Sequence, residues 1–223
     1  MGYKIAIDGP AGAGKGYVAR EVSKKLGIIN IDTGAMYRAF ALYIMKNNID
    51  INDEIKINNV LEKVNIDLLF EKDCCKVILN GEDVSLEIRT EEVATMASQI
   101  SCIPLVRNHM INLQRQMAEN KNVVMEGRDI GSVVLKDADV KIFLTASVEE
   151  RAKRRYIEYI EKGIECSMEK VIEYIKHRDE LDIKKEVSPL IKTKDMIEID
   201  TTNLTKDEVV ERIIEIVKDK VTI

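Results

Sequence analysis

Three glycines and a lysine near the start of the chain have the types and spacing of a phosphate-binding loop. In DGPAGAGKGYVAR, residues 8–20, Gly9, Gly12 and Gly14 permit backbone conformations in which amide N–H groups converge on phosphate oxygens. Lys15 adds a positive point charge at the start of the helix that must follow. The order Gly9-x4-Gly14-Lys15 fills the first seven places of an eight-residue pattern whose last place ordinarily offers a hydroxyl to magnesium. Gly16 stands there instead. With Pro10, Ala11 and Ala13 between the glycines and Tyr17 after Gly16, residues 9–17 form the expected cradle for a nucleotide's phosphates.

Further charged groups lie beside turns later in the chain. Arg38 follows the turn Asp32-Thr33-Gly34, and Arg128 precedes Asp129 in MEGRDIGSVV. The stretch ASVEERAKRRYIEYIEKG carries Arg151, Arg154 and Arg155 among glutamates, a pattern that equally fits a solvated helix. Arg178 and Asp182, four apart on another predicted helix, could simply pair with each other. Cys74, Cys75, Cys102 and Cys166 have no CxxC spacing, and His109 and His177 are the only histidines, so neither zinc nor a disulfide framework is expected.

Positioning these groups takes strands that end beside them. YKIAID, residues 3–8, is a short apolar strand running into the glycines, and KGYVAREVSKKLG after it has helical spacing closed by Gly27. IINID (28–32), NVVME (122–126), DVKIFL (139–144) and MIEID (196–200) are further apolar runs between helical segments, one of which spans Ala35 to Asn47. Five buried strands alternating with helices predict an α/β fold, a doubly wound five-stranded parallel sheet with helices on both faces. Residues 66–84 break the alternation and read as a small antiparallel insertion, with turns at Glu71 to Cys74 and at Asn80-Gly81. Helices from about Glu91 and from Pro104 to Glu119 return the chain to the core, and Thr205 with Glu208 predicts a capping box.

A chain of 223 residues fits one domain with an insertion or lid. Hydrophobic residues at 45% and charged residues at 33% mark it as globular, and a net charge of -5 argues against nucleic acid held by bulk electrostatics. The start MGYKIAIDG lacks the long apolar core of a signal peptide, and no apolar run approaches the ~20 residues that span a bilayer. A soluble, cytoplasmic protein without a membrane partner is the expectation.

The sequence KGY at the loop resembles the nucleoside monophosphate kinases, many of which read GKGT or GKST here. IDTGAMYR (31–38), MEGRDIGSVV (125–134), ASVEERAKRR, HRDELD and VSPL together resemble the bacterial cytidylate kinases, in the same order along the whole chain. The resemblance implies transfer of a phosphoryl group from ATP, with Mg2+, to CMP or dCMP by a monomer. It divides the single domain into a core of about 1–40, 104–146 and 186–223, an acceptor-binding insertion of about 41–103 and a helical lid of about 147–185. It implies that Thr33, Arg38 and Arg128 receive the acceptor phosphate, that Ser98, Arg107 and Asp129 read cytosine, and that Arg178, Asp182 and Lys185 lie around the acceptor's sugar and phosphate. Lys15, Arg128, Asp129, Arg151 and Arg155 are the implied catalytic set, the two lid arginines serving the donor base and the transferring phosphate. Glu126 is the implied holder of magnesium through its waters. A keto group in place of cytosine's amino group would face Asp129 unfavourably, which predicts poorer use of uridine nucleotides.

Three residues depart from that family. Tyr17 replaces a threonine expected to hold a donor phosphate, and its oxygen lies several bonds further out. The ring either swings aside and leaves the backbone cradle intact, or crowds the donor. Ile183 and Lys185 fall where the family commonly has DSxR, so a hydroxyl and a bidentate fork are lost. Two alternatives stay open on the sequence: a catalytically weak nucleotide-binding or regulatory protein of the same fold, and a kinase for another small acceptor.

Overall fold

The computed structural model describes residues 2–70, 75–185 and 187–221. In chain order these form β1 (Lys4–Asp8), α1 (Lys15–Leu26), β2 (Ile29–Asp32), α2 (Thr33–Lys46), α3 (Glu54–Leu61), β3 (Ile66–Phe70), β4 (Cys75–Leu79) and β5 (Glu82–Asp83). They continue with α4 (Glu91–Ile100), α5 (Pro104–Ala118), β6 (Val123–Gly127), β7 (Val140–Thr145), α6 (Val148–Glu161), α7 (Met168–Lys184), β8 (Ile197–Asp200) and α8 (Lys206–Lys220). The main sheet is five-stranded, in the order β2-β6-β1-β7-β8. By contacts along the chain there are two compact units, residues 1–28 with 121–223, and residues 29–120.

In the first unit β1 runs parallel to both β6 and β7, and β7 to β8. All five residues of β6 are buried, as a central strand covered on both faces requires. Ile5, Ile7, Val124, Val140, Ile142 and Leu144 form its core with Val18, Ala19 and Val22 of α1 and Val210, Ile213 and Val217 of α8. Gly27 closes α1 with φ 65°, a left-handed turn that glycine adopts without strain. The capping box of α8 is present, Thr205 and Glu208 each satisfying the other's backbone N–H. Helices α6 and α7 build a smaller core of their own around Ala152, Tyr159, Val171 and Ile175.

In the second unit α2 begins at Thr33, two residues before the sequence reading places it, because the Asp32 side chain accepts from Ala35 N–H and caps the first turn. Strands β3, β4 and β5 form the antiparallel sheet. Asn80 and Gly81 have φ 51° and 89°, the paired positive values of the hairpin turn that an Asn-Gly pair predicts. The other expected turn, Glu71 to Cys74, lies outside the described residues. Helix α3, not anticipated from the sequence, buries only Ile57 and Leu61 and is capped by Asp53. Among the described residues no helix is long and apolar enough to cross a membrane.

Candidate active site

The phosphate loop leaves β1 where its parallel neighbours also end. At Gly9 a Cβ would fall 2.0 Å from the Leu144 carbonyl oxygen of β7, and at Gly12, with φ 79°, 3.1 Å from the Arg151 Cβ of α6. Only glycine lets the backbone approach those neighbours. Gly14 has no side chain to cap α1, so the positive end of that helix's dipole and its first-turn N–H groups are left without a side-chain acceptor at the N-cap. Lys15 is buried and its Nζ donates to the Pro10 carbonyl at 2.8 Å. Burial, and then the charge of Arg128, lower its ammonium to about 7. Two other loop carbonyls are also held: Ala11 accepts from Arg151 Nη1 at 3.1 Å, and Ala13 from Thr201 Oγ1 at 3.5 Å.

Gly16 has a physical reason to lack a hydroxyl. A Cβ there would lie 3.0 Å from Oε1 of Glu126, the buried carboxylate near the end of β6. The space that a serine or threonine would fill belongs to that carboxylate. Tyr17 turns toward the first turn of α8: its hydroxyl lies 3.4 Å from Asp207, with Lys206 Nζ 4.9 Å and the Arg20 guanidinium 5.4 Å from the ring. Its ring packs on the core of the unit.

Beyond β6 the chain turns at Arg128 and Asp129 into a π-helical turn, Ile130–Val134. Asp8, fully buried at the end of β1, fastens that turn by accepting from Ile130 N–H at 2.7 Å and Gly131 N–H at 2.8 Å. Burial raises its carboxyl to about 6, although the two N–H groups pull the other way. Arg128 Nε donates to Asp182 at 2.7 Å, and Lys185 Nζ donates to the other oxygen of the same carboxylate at 3.0 Å. Burial alone would raise the Asp182 carboxyl; Arg128 and Lys185 outweigh it and hold it well below the usual range.

Helix α6 opens at Ser147, whose side chain caps it. Arg151 is buried, with Nε on the Ala146 carbonyl at 3.0 Å and both terminal nitrogens on Asp179 of α7 at 2.9 and 2.7 Å. Arg154 bonds Glu150 and both the hydroxyl and carbonyl of Thr201, while Arg155 bonds Glu158 and lies over the Tyr159 ring. Arg178 donates to the Tyr174 hydroxyl, and its buried Nε has no hydrogen-bond partner among the described residues.

In the second unit Arg38 Nη2 reaches the carboxylate of Asp32, the cap six residues back, at 3.2 Å, while its buried Nε lacks a partner among the described residues. Thr33 is buried beside it in the first turn of α2. Arg107 is buried, donates to the Tyr37 hydroxyl at 3.1 Å and stacks 5.8 Å from that ring. Ser98 is half-buried, and its carbonyl accepts from Ser101.

The family model for cytidylate kinase matches residues 5–219. The chain belongs to the cytidylate kinase family. Among its curated relatives, Cytidylate kinase of Caldanaerobacter subterraneus subsp. tengcongensis is 53% identical over 96% of this chain and 94% of its own length. Those of Lactobacillus johnsonii and Bacillus subtilis are each 50% identical over 97% of this chain, covering 94% and 96% of their own lengths. Solved structures share the fold at low identity: an uncharacterized protein from Eubacterium ventriosum and a shikimate kinase from Bacteroides thetaiotaomicron, each 13% identical, align with TM-scores of 0.52 and 0.50 over 97% of this chain and 98% of theirs.

Of the residues expected to act in this cytidylate kinase family member, the first unit gathers Arg128, Asp182 and Lys185 around one carboxylate, with Lys15 and Glu126 close enough to act on each other's charge. Arg178 and Asp182 do not form the i,i+4 pair that their spacing permits, since each has other partners. Three residues were missed by sequence reasoning. Asp8 carries a signal, a charge ending an otherwise apolar strand; Asp179 and Tyr37 carry none locally.

Proposed function

We propose that this protein transfers the γ-phosphoryl group of ATP to CMP or dCMP, giving CDP or dCDP and ADP. Membership of the cytidylate kinase family along residues 5–219 carries the reading. The loop supports it: Lys15 lies against the Pro10 carbonyl, and the start of α1 has no side-chain cap, which leaves amide N–H groups for an anion.

The chemistry needs alignment and charge stabilisation, with no protein nucleophile. The loop amides of residues 9–17 and Lys15 hold the donor phosphates; on α6, Arg151 is set against the loop and paired with Asp179, and Arg155 one turn further on adds positive charge. In the second unit Thr33 and Arg38 are assigned to the acceptor phosphate and Ser98 and Arg107 to cytosine. In the first, Arg128 serves the acceptor phosphate, Asp129 the cytosine amino group, and Arg178, Asp182 and Lys185 the sugar and phosphate. The partnerless Nε atoms of Arg38 and Arg178 are donors that an anionic or polar ligand would satisfy. Glu126 fits a water-mediated Mg2+ position, because its carboxylate occupies the place that the loop pattern gives to a hydroxyl. Bound there, the ion would neutralise charge on the transferring group. A cytoplasmic monomer acting on small molecules, without nucleic acid, completes the reading, and the net charge of -5 supports the last point.

The test is ADP formation from ATP and Mg2+ with CMP, dCMP, UMP and AMP, for the native protein and Tyr17→Thr. Turnover confined to the cytidine nucleotides is expected in the native protein, with the Tyr17 hydroxyl directed to Asp207. Absence of turnover until threonine is restored would reverse the reading in favour of a disabled enzyme.

A further inference from the structure

The guanidinium of Arg151 is spent within the protein. Four of its hydrogen bonds are accounted for, two on Asp179, one on the Ala146 carbonyl and one on the Ala11 carbonyl of the phosphate loop. The Ala11 carbonyl belongs to the peptide whose N–H is that of Gly12. In a planar trans peptide these two groups point in opposite directions, so a donor that holds the carbonyl on the α6 side turns the N–H to the other side. The approach of α6 at this point is built in, since a Cβ on Gly12 would lie 3.1 Å from the Arg151 Cβ. What fixes the guanidinium is Asp179, 28 residues further along and on the next helix, through two short parallel bonds of 2.9 and 2.7 Å.

We infer that Asp179 is a positioning residue for the donor: through the fork of Arg151 it holds the Ala11–Gly12 peptide so that the Gly12 N–H faces the donor's phosphates. The chain of contacts is carboxylate, guanidinium, carbonyl, amide, phosphate, and only the last link involves ligand. It rests on the donor-site reading above. A bidentate pair sets orientation as well as charge, so lysine at position 151 would keep the attraction and lose the aim.

The experiment titrates ATP into the full chain by calorimetry without acceptor, CMP into a second sample without donor, and follows steady-state kinetics and thermal midpoint alongside. Asp179→Ala is expected to weaken ATP binding about tenfold, the loss of one well-aimed charge-assisted contact, and to raise KM for ATP by a similar factor. Affinity for CMP should stay within about twofold by the same reasoning. Asp179→Asn, near the native shape and keeping one acceptor oxygen, should fall between the two, which gives a rescue series if the alanine variant folds poorly. ATP affinity unchanged in both variants would overturn the inference, as would equal losses for ATP and CMP together with a lowered thermal midpoint, the sign of a merely structural residue. Because donor binding is measured without acceptor, an error in the acceptor assignment leaves this readout untouched.

Discussion

Asp8→Asn removes a loss of stability that the native protein suffers as pH rises toward neutral, and the amount follows from the burial of the carboxylate. Asp8 gives one oxygen to each of the Ile130 and Gly131 N–H groups, whereas the amide has one acceptor oxygen for the two, so the variant starts about 1–3 kcal/mol below the native protein in acid. Burial moves the Asp8 carboxyl from 3.8 to about 6 in the folded chain. The folded pKa lies above the unfolded one, so the contribution of Asp8 to stability is fully present below about pH 3.8 and is lost as pH rises through about 6. Two units at about 1.4 kcal/mol each give a loss on the order of 3 kcal/mol, confined to that window. The variant carries no titrating group there and keeps its stability. Urea unfolding of both proteins at half-unit steps across that window should show the difference between them moving toward asparagine between about pH 4 and 6 and then levelling. Turnover should fall in the variant, because the ionised carboxylate accepts both N–H groups and so fixes the turn carrying Arg128 and Asp129. A gap that is constant with pH, or one that opens in favour of the native protein, refutes the argument.

Lys15, lowered to about 7 in the free protein, is mostly neutral at about pH 8 and becomes charged against phosphate, so ATP binding there should take up close to one proton, falling toward none near pH 6. Calorimetry in buffers of different ionisation enthalpy reads this directly, and uptake that does not grow with pH would contradict it. Asp182→Ala strands Arg128 and Lys185 without their shared carboxylate and should cost about 3–5 kcal/mol in chemical denaturation; a loss under about 1 kcal/mol would show the pair to be solvated rather than buried. Gly16→Ala places a methyl 3.0 Å from Glu126 Oε1, and should raise the Mg2+ concentration for half-maximal rate by about tenfold or more, the usual scale for disturbing an outer-shell carboxylate.

The five strands were legible because each is a short apolar run ending in a turn, and the hairpin because Asn80-Gly81 supplies two residues that accept positive φ. The phosphate loop was legible because its spacing is local. What stayed hidden is held by partners distant in sequence. The π-helical turn after Asp129 is fixed by a carboxylate 122 residues earlier, and nothing in IGSVV announces it. Asp179 sits between Arg178 and Glu180, one charge among several on a surface-type helix, and acquires its role only when α6 folds back against α7. Helix α3 went unread because two buried residues in eight give too thin an apolar stripe. The setting of Tyr17 depended on Lys206 and Asp207, which lie at the other end of the chain.

The separate small core inside α6 and α7 bears on temperature. Ala152, Tyr159, Val171 and Ile175 pack on one another and would travel together if the two helices swung away from the phosphate loop. The links severed would include Arg151 to Ala11, Arg154 to Thr201 and Arg128 to Asp182, all polar. Heat-capacity changes scale with apolar surface newly wetted, and such a swing wets little of it. Its enthalpy should therefore be nearly constant with temperature, giving a straight van't Hoff line for opening in a protein whose global unfolding, which exposes the main core, follows a strongly curved one.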